Sequence, residues 1–95
     1  MRNNGFLYIE DMRLAAYLLT KSVRFRKVVD SDIKKGVKVF VFERTPRAKI
    51  ERAKFLNGIA RVEPKTYMER YRDLRAVIRG EKLAEEALKE VNGVR

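Results

Sequence analysis

The chain has 95 residues, with 23 Lys and Arg against 13 Asp and Glu, a formal net charge of +10, and neither cysteine nor histidine. That length suits one small basic domain with a modest core, spanning residues 1–95. The missing residue types exclude disulfides, thiolate zinc sites and a cysteine nucleophile, and they remove the commonest general base and metal ligand. A reducing, cytoplasmic setting is expected. No apolar run approaches membrane-spanning length and Met1–Gly5 shows no signal peptide, so no membrane role is expected. The charge is unevenly placed. Residues 1–45 hold ten Lys and Arg against five acids, residues 46–80 ten against four, and residues 81–95 three against four. A basic body with a slightly acidic end favours a polyanion, nucleic acid before an acidic membrane surface or acidic protein. Abundant Lys, Arg and Glu without Gln, Cys, Trp or His is also a thermophile's composition, so part of the charge is open to a stability role.

In chain order, Met1–Gly5 reads as a mobile tip and Phe6–Ile9 as a short strand. Asp11 is a good N-cap, and Met12–Lys21 follows as a helix that is apolar around much of its circumference, which suits burial against a sheet. Val23–Glu43 has the pattern of an antiparallel β-hairpin, with two β-rich runs around a polar loop. Thr45-Pro46 caps and opens a helix to Leu56, closed by Asn57-Gly58. Its residues Ile50, Ala53 and Leu56 share one arc, and Arg47, Glu51 and Lys54 the opposite one. Phe55 lies off the apolar arc and is expected to pack under a neighbouring loop. Ile59–Glu63 reads as a short extended piece. Pro64 opens a third helix that ends at Gly80, with Tyr67, Tyr71, Leu74 and Ile78 in one apolar stripe and Lys65, Arg72, Arg75 and Arg79 along its flank. Glu81–Asn92 reads as a fourth, amphipathic helix, docked on the same chain or shared with a second copy. The expected fold is a small α+β domain, a short strand and helix followed by the hairpin and two to three C-terminal helices.

Register decides what the hairpin displays, because a slip changes which residues share a face. If Asp30 pairs with Gly36 around the loop Ser31–Lys35, one face carries Val23, Phe25, Val29, Val37, Val39 and Val41, interrupted by Lys27. The other carries Arg24, Arg26, Val28, Lys38, Phe40 and Phe42. Moving the pairing by two residues combines Phe25 with Phe40 and Phe42 instead, and gives the valine face Arg24 and Arg26. The first register separates apolar from charged residues better and is the one expected. A face of cations and aromatic rings is what single-stranded nucleic acid needs, phosphates on Arg and Lys and bases on rings. The competing and favoured reading packs Phe40 and Phe42 under a helix.

Asp30, Asp32 and Lys34 form a D-x-D-x-K pattern of the kind found in metal-dependent phosphodiesterases. Turn chemistry explains the same residues, and no other strand supplies an obvious third carboxylate, so neither an enzyme nor a bound metal or cofactor is expected.

The stretches Leu14-Ala15-Ala16-Tyr17-Leu18-Leu19, Phe40-Val41-Phe42-Glu43, Asn57-Gly58 and Leu74 together resemble an uncharacterised family of short bacterial and phage-associated proteins, classed as a domain of unknown function. The resemblance covers roughly residues 7–80. It implies a compact α+β fold, core positions for Phe40 and Phe42, and no catalytic residues. The expected function is a non-catalytic nucleic-acid-binding module of phage or mobile-element type, weakly sequence-specific, contacting DNA or RNA through Arg24, Arg26, Lys38, Arg72, Arg75 and Arg79. The alternative is a protein–protein adaptor or homodimer with no nucleic-acid role.

Overall fold

The computed structural model describes residues 5–80, and the expected helix at Glu81–Asn92 and the tip before Gly5 lie outside them. The elements run β1 (Phe6–Ile9), α1 (Met12–Thr20), β2 (Phe25–Asp30), β3 (Lys38–Glu43), α2 (Pro46–Leu56) and α3 (Pro64–Ile78). The three strands form an antiparallel sheet in the order β1-β3-β2. Residues 59–63, expected as an extended piece, form no strand but lead into α3.

Local chemistry sets the helix starts. Asp11 accepts from the Arg13 and Leu14 amides at 2.9 and 3.5 Å, and the Thr45 hydroxyl accepts from the Ala48 amide at 3.1 Å. Proline stands at the first position of both α2 and α3, where its missing N–H has no intrahelical partner to lose. At the end of α1, Ser22 takes a left-handed φ of 63°, turning the chain into β2.

The hairpin register differs from the one expected. Asp30 pairs with Lys38, Val29 with Val39 and Val28 with Phe40. Two forces favour it. Gly36 sits in the loop at φ 82°, a conformation that does not fit a paired strand residue. The Ser31 hydroxyl also accepts from the Ile33 and Lys34 amides, which builds the turn around Ser31. A bulge at Arg26 then reverses the alternation, because Phe25 pairs with Phe42 while Lys27 pairs with Val41. One face of the sheet thus carries Leu7, Ile9, Phe25, Val28, Phe40 and Phe42, and the other Tyr8, Lys27, Val29, Val39 and Val41. It is the bulge, and not a two-residue shift of register, that brings Phe25 onto the face of Phe40 and Phe42.

The helical side covers the phenylalanine face. Phe40 and Phe42 are 1% and 0% exposed and belong to one core with Leu14, Leu18, Ala48, Leu74 and Val77. They are core residues, and no base can stack on them. Phe25 meets Phe42 edge-on at 5.7 Å. Helix α1 buries every residue from Leu14 to Leu19, being enclosed by the sheet, α2 and α3, so its apolar circumference has the expected cause.

Helix α2 is turned the other way from the expectation. Ile50 and Leu56 face water, and Ala48 and Glu51 are buried. The reason is a polar contact in the core. The buried Tyr17 hydroxyl donates to Glu51 Oε1 at 2.6 Å, and Phe55 packs on the Tyr17 ring at 5.5 Å. Arg47 donates to the Lys21 carbonyl and fixes the start of α2 against the end of α1. An unsatisfied buried phenol would be costly, and an inward-facing Glu51 supplies its acceptor. In α3 the buried stripe is Leu74 and Val77, with Tyr67 and Tyr71 half-buried and Ile78 at the surface.

Burial and the Glu51 hydrogen bond push the Tyr17 hydroxyl up from 10.0 to about 12. A raised value favours the protonated form in the folded state, so this contribution is complete below pH 10 and is lost as pH rises through about 12. Tyr17→Phe is expected to cost about 1–3 kcal/mol near neutral pH, because Glu51 stays buried without its donor. The difference from the parent chain should narrow above pH 10, as urea unfolding over a pH series would show. The pair Tyr17→Phe with Glu51→Leu should recover most of the loss. Phe40→Ala should cost about 3–5 kcal/mol in the same measurement.

Candidate polyanion-binding groove

The six cations singled out in the sequence separate into two groups. The hairpin group is partnered. Glu43 lies 3.2 Å from Arg26 and 3.9 Å from Arg24, and Lys38 meets Asp30 at 2.6 Å. Strand pairing produces these contacts, since Glu43 ends β3 beside the bulge and Lys38 stands opposite Asp30. Lys38 shares its strand face with Phe40 and Phe42, but those rings are buried in the core and offer no stacking surface beside it.

The α3 group is brought together. Arg72, Arg75 and Arg79 line a groove of about 760 Å³ with Tyr67, Met68 and Tyr71, and α1 adds Arg13 from its first turn. The volume lies within the range of ligand sites. Spacing explains the α3 side: positions 68, 72, 75 and 79 recur every three or four residues, along one flank of the helix. Among the described residues, Arg72 and Arg75 have no ion-pair partner, whereas Arg70, one turn off the groove, is tied to Asp73 at 2.6 Å. Arg13 bends back toward Asp11 at 3.4 Å but keeps 71% of its side chain exposed.

The tyrosines hold the two walls in place. The Tyr67 hydroxyl donates to the Arg13 carbonyl at 3.4 Å, joining the start of α3 to the start of α1. Tyr67 and Tyr71 sit with ring centroids 6.3 Å apart and tilted planes. Desolvation pushes the Tyr67 hydroxyl up from its ordinary value, with the neighbouring Tyr71 adding to the shift. Glu63 caps α3. Its carboxylate accepts from the Thr66 amide at 2.8 Å and hydroxyl at 2.6 Å, and the hydroxyl bond above all holds its pKa below the usual carboxylate value.

Arg13 and Met68 were not legible as site residues, and Tyr67 and Tyr71 read only as a packing stripe. Arg13 lies 54 residues from Tyr67 in sequence, and only α1–α3 packing makes them neighbours. Lys65, on the flank by periodicity, does not line the groove.

A smaller concavity of about 240 Å³ lies on the open sheet side, lined by Tyr8, Val29, Ile33 and Val39 but rimmed by Glu10, Asp30 and Asp32. Its acids repel a polyanion. They do not form a metal site either, since Asp30 is held by Lys38 and Lys34 reaches Glu10 at 3.3 Å. Among the described residues no three acids converge as metal ligands, and no helix is long and apolar enough to cross a membrane.

Fold and groove together define a small α+β domain that presents arginine and tyrosine side chains along one helix. The chain belongs to the family described as a domain of unknown function (DUF5659), which matches residues 4–80. No curated protein and no solved structure shows significant similarity to it.

The cap gives a local test. A depressed carboxyl contributes stability above its unfolded pKa and loses it as pH falls through the folded one. Thr66→Val should raise the Glu63 pKa toward its ordinary value, read by side-chain NMR. The stability difference from the parent chain should be largest near neutral pH and vanish in acid.

Proposed function

We propose that this domain is a non-catalytic nucleic-acid-binding module that holds the phosphate backbone in the α1–α3 groove, with little sequence preference. One observation carries the reading: Arg13, Arg72, Arg75 and Arg79 line a single concavity whose remaining described walls are Tyr67, Met68 and Tyr71. Guanidinium groups match phosphate geometry in a bidentate way, and exposed ring surface gives unpaired bases something to stack on. The net charge of +10 adds long-range attraction. Arg24, Arg26 and Lys38 contribute to that field but have carboxylates beside them, so they are weaker contacts than the α3 group. Composition supports a cytoplasmic and thermophilic setting, and the family resemblance a phage or mobile-element one.

The adaptor or homodimer reading has its own support. Ile50, Leu56 and Ile59 are each more than half exposed, so α2 and the turn after it offer apolar surface to a protein partner.

Binding of labelled single- and double-stranded DNA and RNA at two salt concentrations separates the readings. Each phosphate neutralised releases counterions, so affinity should fall steeply with salt. Replacing Arg72, Arg75 and Arg79 together by Ala should weaken all sequences similarly and flatten the salt slope by about one unit for every phosphate no longer neutralised. Replacing Arg24, Arg26 and Lys38 together should do much less. Absence of measurable binding at low salt would leave the adaptor reading, with light scattering of an Ile50→Glu/Leu56→Glu chain as its check.

A further inference from the structure

The α1–α3 groove has a cationic rim and an apolar floor. Arg72 and Arg75 stand exposed on the α3 wall, and Arg13 stands exposed on the α1 wall. Between them lie Tyr67 and Tyr71, half-buried, and Met68, 68% exposed. A thioether this open beside two rings leaves soft, polarisable surface for a flat apolar group. Tyr67 is committed to the fold, since its hydroxyl donates to the Arg13 carbonyl and holds its ring between the helices. Tyr71 is not committed in that way: among the described residues its hydroxyl has no hydrogen-bond partner. The concavity of about 760 Å³ has the volume of a small-ligand site, so it takes a group into itself as well as lying against one.

Rim and floor together discriminate among polyanions. A double helix keeps its base faces stacked on one another and turns its phosphates outward. It reaches the arginines and leaves the apolar floor wet. A polyanion without rings has the same shortcoming. An unpaired strand answers both parts, because its bases are free to swing away from the line of phosphates and pack on apolar and aromatic side chains. We propose that the ligand of the groove is an unpaired nucleic-acid strand, its phosphates on Arg13, Arg72 and Arg75 and one base seated against Met68 and Tyr71. This deepens the nucleic-acid reading and rests on it. Charge attracts any nucleic acid to the chain, and the floor decides which form stays. Every base has an apolar face, so the discrimination is by strandedness and not by sequence.

The test compares three fluorescent probes on the full chain at low salt: a single-stranded thymidine oligonucleotide, an abasic oligonucleotide with the same number of phosphates, and a duplex of the same length. The thymidine strand should bind at least about fivefold more tightly than the abasic one, the low end of what stacking a single base contributes. The two should share one salt slope, since their phosphates are the same. The duplex, compared per phosphate, should bind no more tightly than the abasic strand. Met68→Ala removes an exposed side chain outside the core, so the fold is retained. It should narrow the gap between thymidine and abasic strands and leave the abasic affinity where it was, as should Tyr71→Leu. Arg72→Ala with Arg75→Ala should instead weaken both strands by the same factor. Equal affinity for the thymidine and abasic strands, a preference for duplex, or a gap that both Met68→Ala and Tyr71→Leu leave unchanged would overturn the strand proposal while backbone binding in the groove stands. If none of the three probes binds, the nucleic-acid reading falls and this inference with it.

Discussion

The packing of Phe40 and Phe42 beneath α1 is the constraint on which the rest of the molecule depends. They stand on the central strand, flanked by Leu7 and Ile9 on β1 and by Phe25 and Val28 on β2. Burying all six on one side requires the bulge at Arg26, without which Phe25 and Val28 would fall on opposite faces. The bulge leaves Arg24 and Arg26 beside Glu43. The same register leaves Lys38 opposite Asp30. The pairing of Arg24, Arg26 and Lys38 is thus a consequence of strand register, while among the described residues Arg72 and Arg75 on α3 have no ion-pair partner.

A second constraint acts inside the helical layer. Tyr17 fills core volume that an aliphatic residue would not, but its hydroxyl needs an acceptor. Glu51 supplies it, and α2 rotates to bring a carboxylate inward and Ile50 and Leu56 outward. Both α2 and α3 pack on α1, and α3 buries Leu74 and Val77 in the shared core. Tyr67 and Tyr71 then lie where α3 meets the first turn of α1, and the adjacent arginines face an open concavity instead of a packed wall.

Much of this was legible from short-range chemistry. Asp11, Thr45, Pro46 and Pro64 mark helix starts because capping is local, and the bounds of β1 and α2 follow from such signals. The arginine flank of α3 was legible too, since helical spacing needs no tertiary knowledge. What escaped was set by long-range contact. Hairpin register depended on the φ of Gly36 and on packing under α1, neither of which alternation reveals. The orientation of α2 depended on a hydrogen bond between residues 34 apart in sequence, against its own apolar pattern. Arg13 entered the groove only through the docking of α3 on α1.

The most direct measurement is an amide NMR titration of the full chain with a short single-stranded oligonucleotide at low salt. A phosphate-binding groove between α1 and α3 predicts the largest shifts at Arg13 and along Tyr67–Arg79, fading as salt is raised. Largest shifts at Arg24, Arg26 and Lys38 or across the open sheet face, with α3 unmoved, would contradict it.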